Sequence, residues 1–385
     1  LEIRWLGAPA DKRVEDGMVS AVLTAWRETD GPQAGGVLAF LPGVGEIVRV
    51  RDRLGDRLPD VPILPLHGQV EPAGQRAAIR RDAQGRRRIV LATAIAETSL
   101  TLDGVSVVVD SGLARLAEFD KAAGTTHLVT RRASQAAAAQ RAGRAARQGP
   151  GVAFRLWEEA AHAGRPPFAP PEIATADLAP LVLNLARWGS SDPAALPWLD
   201  PPPAAAISAA RARLEGLGAL DGNGRITPRG EALAALPLDP AHAAMVLFGA
   251  EHGAAEGAAR IALLLQERVL GGRGEDLAAR LQRWADDRSP RADAARKLAA
   301  RWARKAMALR EAQGVRDAGI PAAILLAAGL PDNVAKRRDP TGEHWLSAGG
   351  RGFLLDPASP LARAEWLVIG DAQGQAKGAR ITAAL

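Results

Sequence analysis

The stretch RIVLATAIAETSLTLDGVSVVVDSG, residues 88–112, decides the fold of the first part of this chain. Two apolar runs, 88–93 and 105–112, flank a polar segment that contains a short helix-like stretch at 95–100. Each run is apolar almost without a break, which is typical of a strand that helices cover on both faces. The stretch therefore predicts two parallel strands with a polar connection between them.

Hydroxyl and carboxylate side chains fill this connection: Thr93, Glu97, Thr98, Ser99, Thr101 and Asp103. We expect them at the carboxyl edge of the sheet, because open α/β sheets bind their ligands there. Taken singly, each of these side chains could instead be a helix cap.

The same alternation extends over residues 1–157. Further β-rich runs are 37–42, 61–67 and 151–157, with 1–7 as another candidate, and the other helix-like stretches are 11–28, 44–56, 71–83 and 134–147. Strands that alternate with helices of this length predict an α/β layer with a mostly parallel sheet. The segment 112–134 breaks the alternation and is predicted to be a projecting hairpin, after which Ser134 caps a helix.

The helix predicted over 134–147 ends in the sequence QRAGRAAR, residues 140–147. On a helix, Arg141, Arg144 and Arg147 would lie within about 120° of the surface, where like charges repel. Guanidinium groups suit phosphate oxygens, and Gly143 leaves room for a close approach. This motif alone leaves two interpretations open, a phosphate contact and a solvated basic face.

Composition excludes several classes of site. The chain has 385 residues, no cysteine, six scattered histidines and a net charge of +6. Disulfides, iron–sulfur clusters and thiolate zinc sites are therefore excluded, and no metal site is predicted. No apolar run approaches the ~20 residues that span a bilayer, and charged residues interrupt any secretory signal. We expect a cytoplasmic protein with no membrane partner, and the basic balance favours a polyanionic partner.

Downstream of the sheet, proline-rich stretches at 164–173 and 196–205 indicate linkers around a helix. The glycine-rich turn at 220–230, in which Thr227 begins a capped helix, predicts the wing of a winged helix. The predicted domains are an α/β sheet domain at 1–157, a winged helix at 158–238, a helical bundle at 239–318 and a β-rich module at 319–385. The few strands left for the last module suggest an incomplete barrel.

Several of these stretches together resemble the DEAH-box ATP-dependent RNA helicases, and their bacterial HrpB branch fits best. VLAFLPGVGEI (37–47), TAIAETSLTLDG (93–104) and QRAGRAAR (140–147) are similar to motifs IV, V and VI of that family, in the same order. Residues 172–240 resemble its winged-helix and ratchet-like helical region. The resemblance implies a second RecA-like domain and the domains that follow it. The G-x-x-x-x-G-K-[ST] and D-E-x-H motifs of the first RecA-like domain do not occur in this sequence.

The resemblance also implies nucleotide contacts for single residues. Gln140 would orient the attacking water or the γ-phosphate region. Arg144 and Arg147 would act as arginine fingers on the developing phosphate charge. Thr101 and Asp103 would face the ribose of ATP. Magnesium would be held by the first RecA-like domain.

Nucleic-acid contacts are implied for Gly43, Thr93 and Ala94, and Arg141 is expected to pair with a carboxylate within the sheet domain. The family usually has Asn where Ala94 stands, so one backbone contact is expected to be lost. It usually has Gly where Ala146 stands, and the added methyl group is expected to shift the aim of the neighbouring arginine.

The leading hypothesis is the C-terminal motor half of a 3′-to-5′ ATP-dependent RNA helicase with its accessory domains. Its partners would be RNA or single-stranded nucleic acid and the first RecA-like domain, and this chain alone is expected not to hydrolyse ATP. The alternative is a non-catalytic nucleic-acid-binding or regulatory module that uses the winged helix and the basic helix at 291–310. A dinucleotide-binding enzyme is disfavoured because no G-x-G-x-x-G opens a βα turn.

Overall fold

The computed structural model describes the chain apart from a few short segments. The described residues are 1–7, 13–31, 34–98, 100–120, 125–190, 192–267, 269–310, 319–374 and 378–385. They form two compact units. The first contains residues 1–116 and 129–170, and the second contains 117–128 and 171–385. Ser99 and residues 121–124 at the predicted hairpin tip lie outside the described part.

The first unit is built on a six-stranded sheet with the order β1-β8-β5-β2-β4-β3, and every pairing in it is parallel. The strands of this part of the chain are β1 (Glu2–Trp5), β2 (Gly36–Phe40), β3 (Ile63–Leu66), β4 (Ile89–Ala92), β5 (Val105–Asp110), β6 (Leu113–Asp120), β7 (Thr125–Arg132) and β8 (Val152–Arg155). The parallel α/β sheet predicted from the sequence is therefore present.

Helices cover both faces of this sheet. They are α1 (Val14–Glu28), α2 (Val44–Gly55), α3 (Pro72–Ile79), α4 (Gln135–Gly143) and the short α5 (Ala160–Ala163). Alternate residues of each strand point to opposite faces. In β2, Val37 and Ala39 join the core beneath α1 and α2, while Leu38 and Phe40 join the core beneath α3 and α4. Burial on both faces explains why the strands are apolar almost without interruption.

Two predicted helices are shorter in the structure than the sequence suggested. In place of the helix predicted at 95–100, the described residues there form a 3₁₀ turn at Ala94–Ala96. The helix predicted over 134–147 ends at Gly143, and residues 144–146 continue in a tighter turn with i→i+3 hydrogen bonds. The α-helix thus stops before Arg144 and Arg147, and their positions follow from the tighter turn. Ser134 caps α4 as expected, since its Oγ accepts a hydrogen bond from Ala137 N at 3.1 Å.

The predicted hairpin consists of β6 and β7, which pair as a two-stranded sheet. Its base is fixed from within the sheet unit by Arg165, a buried residue that follows α5. The Arg165 guanidinium donates hydrogen bonds to the carbonyls of Gly112 at 2.7 Å and Ala133 at 3.0 Å. It also lies 3.9 Å from the centroid of the Trp157 ring. The two ends of the hairpin are thus held together at the carboxyl edge of the sheet.

The second unit begins with helices around a small wing. They are α6 (Glu172–Thr175), α7 (Ala179–Arg187), α8 (Ala204–Gly216) and α9 (Pro228–Ala235), with a 3₁₀ turn at Pro193–Ala195. An antiparallel bridge joins Leu220 to Ile226 across the predicted wing. Thr227 caps α9 as expected, because its Oγ1 accepts a hydrogen bond from Gly230 N at 2.9 Å.

A helical bundle follows, made of α10 (Pro240–Glu251), α11 (Ala255–Gln266), α12 (Leu277–Asp286), α13 (Pro290–Leu309) and α14 (Ala322–Gly329). Its core is rich in alanine and leucine and continues into the winged-helix region. No single helix among the described residues is both long and apolar enough to span a membrane. Only α9 and α10 pass that test, as a pair bent by 106°.

The last strands are β9 (Val334–Arg337), β10 (His344–Ser347), β11 (Gly352–Leu354), β12 (Trp366–Gln373) and β13 (Ala379–Ala384), with 3₁₀ turns at Pro331–Asn333 and Pro360–Arg363. They close into a barrel in the order β10-β11-β13-β12-β9. The incomplete barrel that the sequence suggested is therefore wrong, because β9 pairs with both β12 and β10 and so closes the ring.

Candidate functional site

The polar connection between β4 and β5 runs from one edge of the sheet to the other. At its start, Thr93 N donates a hydrogen bond to the carbonyl of Leu66 at the carboxyl end of β3. At its end, the carbonyl of Asp103 accepts from Arg88, just before β4, and Gly104 O accepts from Gly36 N at the start of β2. The expectation that the whole connection lies at the carboxyl edge is therefore wrong. Two parallel strands start at the same edge, so the chain must return there before β5 begins.

Arg141 occupies the middle of this site and is 1% exposed. Its guanidinium pairs with Asp110 Oδ1 at 2.9 Å and Glu97 Oε2 at 3.0 Å, and it donates to the carbonyl of Leu113 at 3.0 Å. Burial by itself would lower the pKa of this guanidinium, but the charges of Asp110 and Glu97 outweigh it and raise the pKa. The expected pairing of Arg141 with a carboxylate of the sheet domain is confirmed.

Arg144 is also buried, but it binds main-chain carbonyls instead of carboxylates. Its Nε donates to the carbonyl of Glu97 at 3.1 Å, its Nη2 reaches the same carbonyl, and its Nη1 donates to the carbonyl of Leu100. Burial lowers the pKa of the Arg144 guanidinium, and the nearby charge of Arg147 lowers it further. A cation in this position holds the connection against the end of α4.

Arg147 and Gln148 continue the same series of contacts. Arg147 is exposed, and its Nη1 donates to Thr101 Oγ1 at 3.2 Å. Gln148 accepts a hydrogen bond from Gly104 N at 2.8 Å through its Oε1, and its Nε2 donates to Asp103 Oδ1 at 3.4 Å. Arg141, Arg144 and Arg147, spaced by three residues, thus contact the connection at successive positions from Glu97 to Thr101.

Two residues of the motif face outward. Gln140 is exposed, and a Cβ added to Gly143 would have no heavy atom within 4 Å. The close approach that Gly143 permits is therefore not used by any described part of the chain. Gln140 and Arg147 are exposed and can therefore be reached by a group that the chain itself does not supply.

The residues predicted to contact nucleic acid lie at the carboxyl edge. Thr93 is half-buried and Ala94 is exposed directly after β4. Gly43 precedes α2 and is buried beneath Arg115, whose Nη1 would lie 2.1 Å from a Cβ added there. Arg115 donates to Glu46 Oε1 at 3.1 Å. The structure thus brings Gly43, Thr93 and Ala94 together at the carboxyl edge. Asp103, which was assigned to the ribose, lies at the opposite edge.

Sequence reasoning missed part of this arrangement. Gln148 follows the motif directly and could have been suspected from that position. The pairing of Arg115 with Glu46 could not be predicted, because the hairpin and the start of α2 that carry them are 69 positions apart. The carbonyls that hold Arg144 cannot be found from any sequence pattern, because every residue has one.

Comparison with known proteins supports one family. A profile described as "Helicase conserved C-terminal domain" matches residues 27–149, and "Helicase associated domain (HA2), winged-helix" matches residues 210–238. The chain is 39% identical over 374 residues to the "ATP-dependent RNA helicase HrpB" of Escherichia coli, which covers 96% of this chain and 43% of that protein. It is 37% identical over 236 residues to the splicing factor "ATP-dependent RNA helicase prp22" of Schizosaccharomyces pombe, over 59% of this chain and 20% of that protein.

A crystal structure of Escherichia coli DEAH/RHA helicase HrpB superposes with a TM-score of 0.88 at 37% identity, over all of this chain and 47% of the other. The chain thus spans less than half the length of the relatives it matches. The predicted order of RecA-like sheet, winged helix, helical bundle and β-rich module is confirmed by these matches. Because the similarity extends over nearly the whole sequence, this chain belongs to the HrpB-like DEAH/RHA helicases and corresponds to their C-terminal portion.

Proposed function

We propose that this chain is the C-terminal motor half of an ATP-dependent, 3′-to-5′ RNA helicase and works with a first RecA-like domain that supplies the phosphate loop. ATP would lie between the two RecA-like domains. RNA would contact the carboxyl edge of the sheet. The chain alone would bind RNA weakly and would not hydrolyse ATP.

One observation carries this proposal, namely the course of the connection 93–104. Its two ends lie at opposite edges of the sheet, and Arg141 and Arg144 tie its middle to α4. Thr93 and Ala94, assigned to nucleic acid, lie at one end, and Thr101 and Asp103, assigned to the ribose, lie towards the other. A single short segment, held by buried cations, can therefore respond to both ligands. This is what a motor that couples hydrolysis to movement requires.

On the nucleotide side, Arg147 and Gln140 would reach the γ-phosphate from exposed positions. Arg144 would join them only after exchanging the carbonyls of Glu97 and Leu100 for phosphate oxygens, which are stronger acceptors for a guanidinium. Thr101 and Asp103 would contact the ribose. A finger of this kind typically contributes about 10³–10⁵ in rate.

On the nucleic-acid side, Thr93 and the amides near Gly43 would contact phosphates and sugars, with Ala94 lacking the side-chain amide usual in the family. Contacts of this kind bring little sequence preference and a strong dependence on salt. Arg115, whose side chain is 30% exposed above Gly43, lies at this edge in an ion pair with Glu46.

Magnesium is implied by the use of ATP, and the described residues offer no group of three or more acidic or histidine side chains that could hold it. Magnesium would neutralise phosphate charge when it is bound with ATP. We assign that binding to the first RecA-like domain.

The test is complementation of this chain with a polypeptide that carries the G-x-x-x-x-G-K-[ST] and D-E-x-H motifs. RNA-stimulated ATP hydrolysis should appear only in the mixture. Arg147→Ala should lower kcat by about 10³-fold or more, with little change in thermal stability. Arg147→Lys should recover only a small part, because an ammonium group lacks the bidentate fork.

The matched control is Arg57→Ala, which removes another exposed arginine of the same unit, just after α2. It should leave kcat unchanged. Equal activity of the Arg147→Ala variant and the unmodified chain would contradict the assigned role.

A further inference from the structure

Gln148, the residue directly after the arginine motif, makes contacts that the proposed motor site does not use. It lies in the turn between α4 and β8 and is exposed. An exposed glutamine usually rotates freely in water, and holding it in one conformation costs side-chain entropy. The amide of Gln148 is nevertheless held at both ends, by Gly104 N at 2.8 Å and by Asp103 Oδ1 at 3.4 Å.

These two contacts determine which way round the Gln148 amide stands. The main-chain N–H of Gly104 can only donate, so the amide oxygen of Gln148 must face it. The NH₂ group is thereby directed at the carboxylate of Asp103, which accepts but does not donate when it is ionised. An amide turned the other way would satisfy neither contact. Gln148 therefore matches a donor and an acceptor that lie side by side.

The main chain of Asp103 does not depend on Gln148. Its N–H donates to the carbonyl of Ile79 at 2.9 Å, and its carbonyl accepts from Arg88 at 2.9 Å. Since the main chain is held on both sides, the bond from Gln148 fixes the rotation of the carboxylate itself. Asp103 is half-buried, and within the described part of the chain its Oδ2 accepts no hydrogen bond. One carboxylate oxygen is thus held, and the other is left for a donor from outside.

The chemistry of this oxygen restricts the part of a nucleotide that it can bind. A carboxylate oxygen accepts hydrogen bonds from O–H and N–H groups. Phosphate oxygens are acceptors with negative charge, so Asp103 would repel them. The ribose carries two hydroxyl groups that can donate, and the proposed function assigns Asp103 to the ribose.

We infer that Gln148 is a positioning residue, which fixes the Asp103 carboxylate to accept from the ribose hydroxyls of ATP. Gln148 acts through Asp103 and does not touch the nucleotide. The inference rests on the proposed function for the ribose contact and adds the residue that makes this contact selective. Because the contact needs a hydroxyl donor, it favours ribonucleotides over nucleotides whose sugar lacks hydroxyls.

Equilibrium dialysis without RNA measures the Kd of ATP and of 2′,3′-dideoxy-ATP. The protein is this chain mixed with the polypeptide that carries the two motifs of the first RecA-like domain. ATP should bind about tenfold more tightly or better, because the analogue cannot donate to a charged acceptor. Gln148→Glu keeps an oxygen for Gly104 N but places a second carboxylate beside Asp103. It should reduce the preference to about threefold or less and leave the Kd of the analogue unchanged.

The matched control is Ser106→Ala, which removes another hydrogen bond at the start of β5. Ser106 Oγ accepts from Gly35 N at 3.0 Å and does not contact Asp103. This variant should keep the preference for ATP. A role of Gln148 in the fold alone would weaken the binding of both nucleotides equally. An equal loss, or an unchanged preference in Gln148→Glu, overturns the inference.

A further variant, Asp103→Ala, separates this inference from the proposed function. If it abolishes the preference and Gln148→Glu retains it, the ribose contact stands and the role of Gln148 is rejected. If it retains the preference, or if the unmodified mixture has none, the ribose assignment fails and the inference fails with it. If both variants abolish the preference, adding Gln148→Glu to Asp103→Ala should change nothing further, because the two residues act as a unit.

Discussion

At the residue scale, the three arginines of the motif have different surroundings although the sequence repeats them evenly. Arg141 is neutralised by two carboxylates, Arg144 is held by carbonyls, and Arg147 is exposed beside a hydroxyl. Only the last is free to meet an outside anion without a rearrangement. Along the motif the arginines pass from buried to exposed. The buried Arg141 and Arg144 hold the connection 93–104 in place, and the exposed Arg147 can contact a ligand.

Replacing Arg141 by Met should destabilise the sheet unit by about 3–5 kcal/mol, because Asp110 and Glu97 would be left without their buried partner. This corresponds to roughly 6–20 °C in Tm for a unit of this size. Differential scanning calorimetry of the full chain measures the shift. Arg147→Met should change stability by less than about 0.5 kcal/mol. Similar Tm shifts for Arg141→Met and Arg147→Met would show that the buried pairing of Arg141 with its carboxylates does not stabilise the sheet unit.

At the element scale, α4 ends at Gly143, and the chain then continues in a tighter turn. This turn places Arg144 over the connection 93–104, instead of on a further turn of α-helix. Gly151, just before β8, has the opposite kind of constraint, since a Cβ there would lie 2.1 Å from the carbonyl oxygen of Ala145. Two glycines near one turn therefore have different reasons to be glycine.

Alanine at these two positions should act in opposite directions. Gly143→Ala should raise stability by about 0.5–1 kcal/mol, because alanine favours the helix and its methyl group meets open space. Gly151→Ala should lower stability by at least about 1 kcal/mol, because backbone must move. Chemical denaturation followed by circular dichroism compares the two. If Gly143 serves a ligand, its variant should also lower ATP hydrolysis in the complemented mixture.

At the scale of the whole molecule, the chain holds one RecA-like sheet unit and a second unit with winged helix, bundle and barrel. In the first unit, Arg147 of the motif is exposed, whereas Arg141 and Arg144 are buried. The groups expected to hold the β-phosphate and magnesium do not occur in its sequence as recognisable motifs. We therefore propose that hydrolysis requires a first RecA-like domain in addition to this chain.

The chain alone should show no ATP hydrolysis above background in a coupled phosphate-release assay, with or without oligouridylate RNA. The physical reason is that arginine fingers lower the barrier only for a nucleotide already held in place. An alkaline phosphatase control and heat-treated chain define the background. RNA-stimulated turnover by the purified chain would refute this expectation and would require a phosphate site that the motifs do not reveal.

The sequence by itself determined the parallel sheet, the caps at Ser134 and Thr227, the winged-helix order and the pairing expected for Arg141. These features depend on local patterns, such as apolar runs, capping residues and motif order, which involve residues that are close in the sequence. The predictions from the sequence were wrong about the length of α4, the position of Asp103 and the closure of the barrel.

Only the tertiary structure decided which arginine is buried, which carbonyls hold Arg144, and that the connection 93–104 joins both edges of the sheet. These depend on contacts between residues more than 40 positions apart, such as Arg144 with Glu97 and Gln148 with Gly104. A motif gives the spacing of its cations along the chain. Whether each cation meets a carboxylate, a carbonyl or water is fixed by the packing of a different segment, because burial leaves a charge stable only where a partner is already in place.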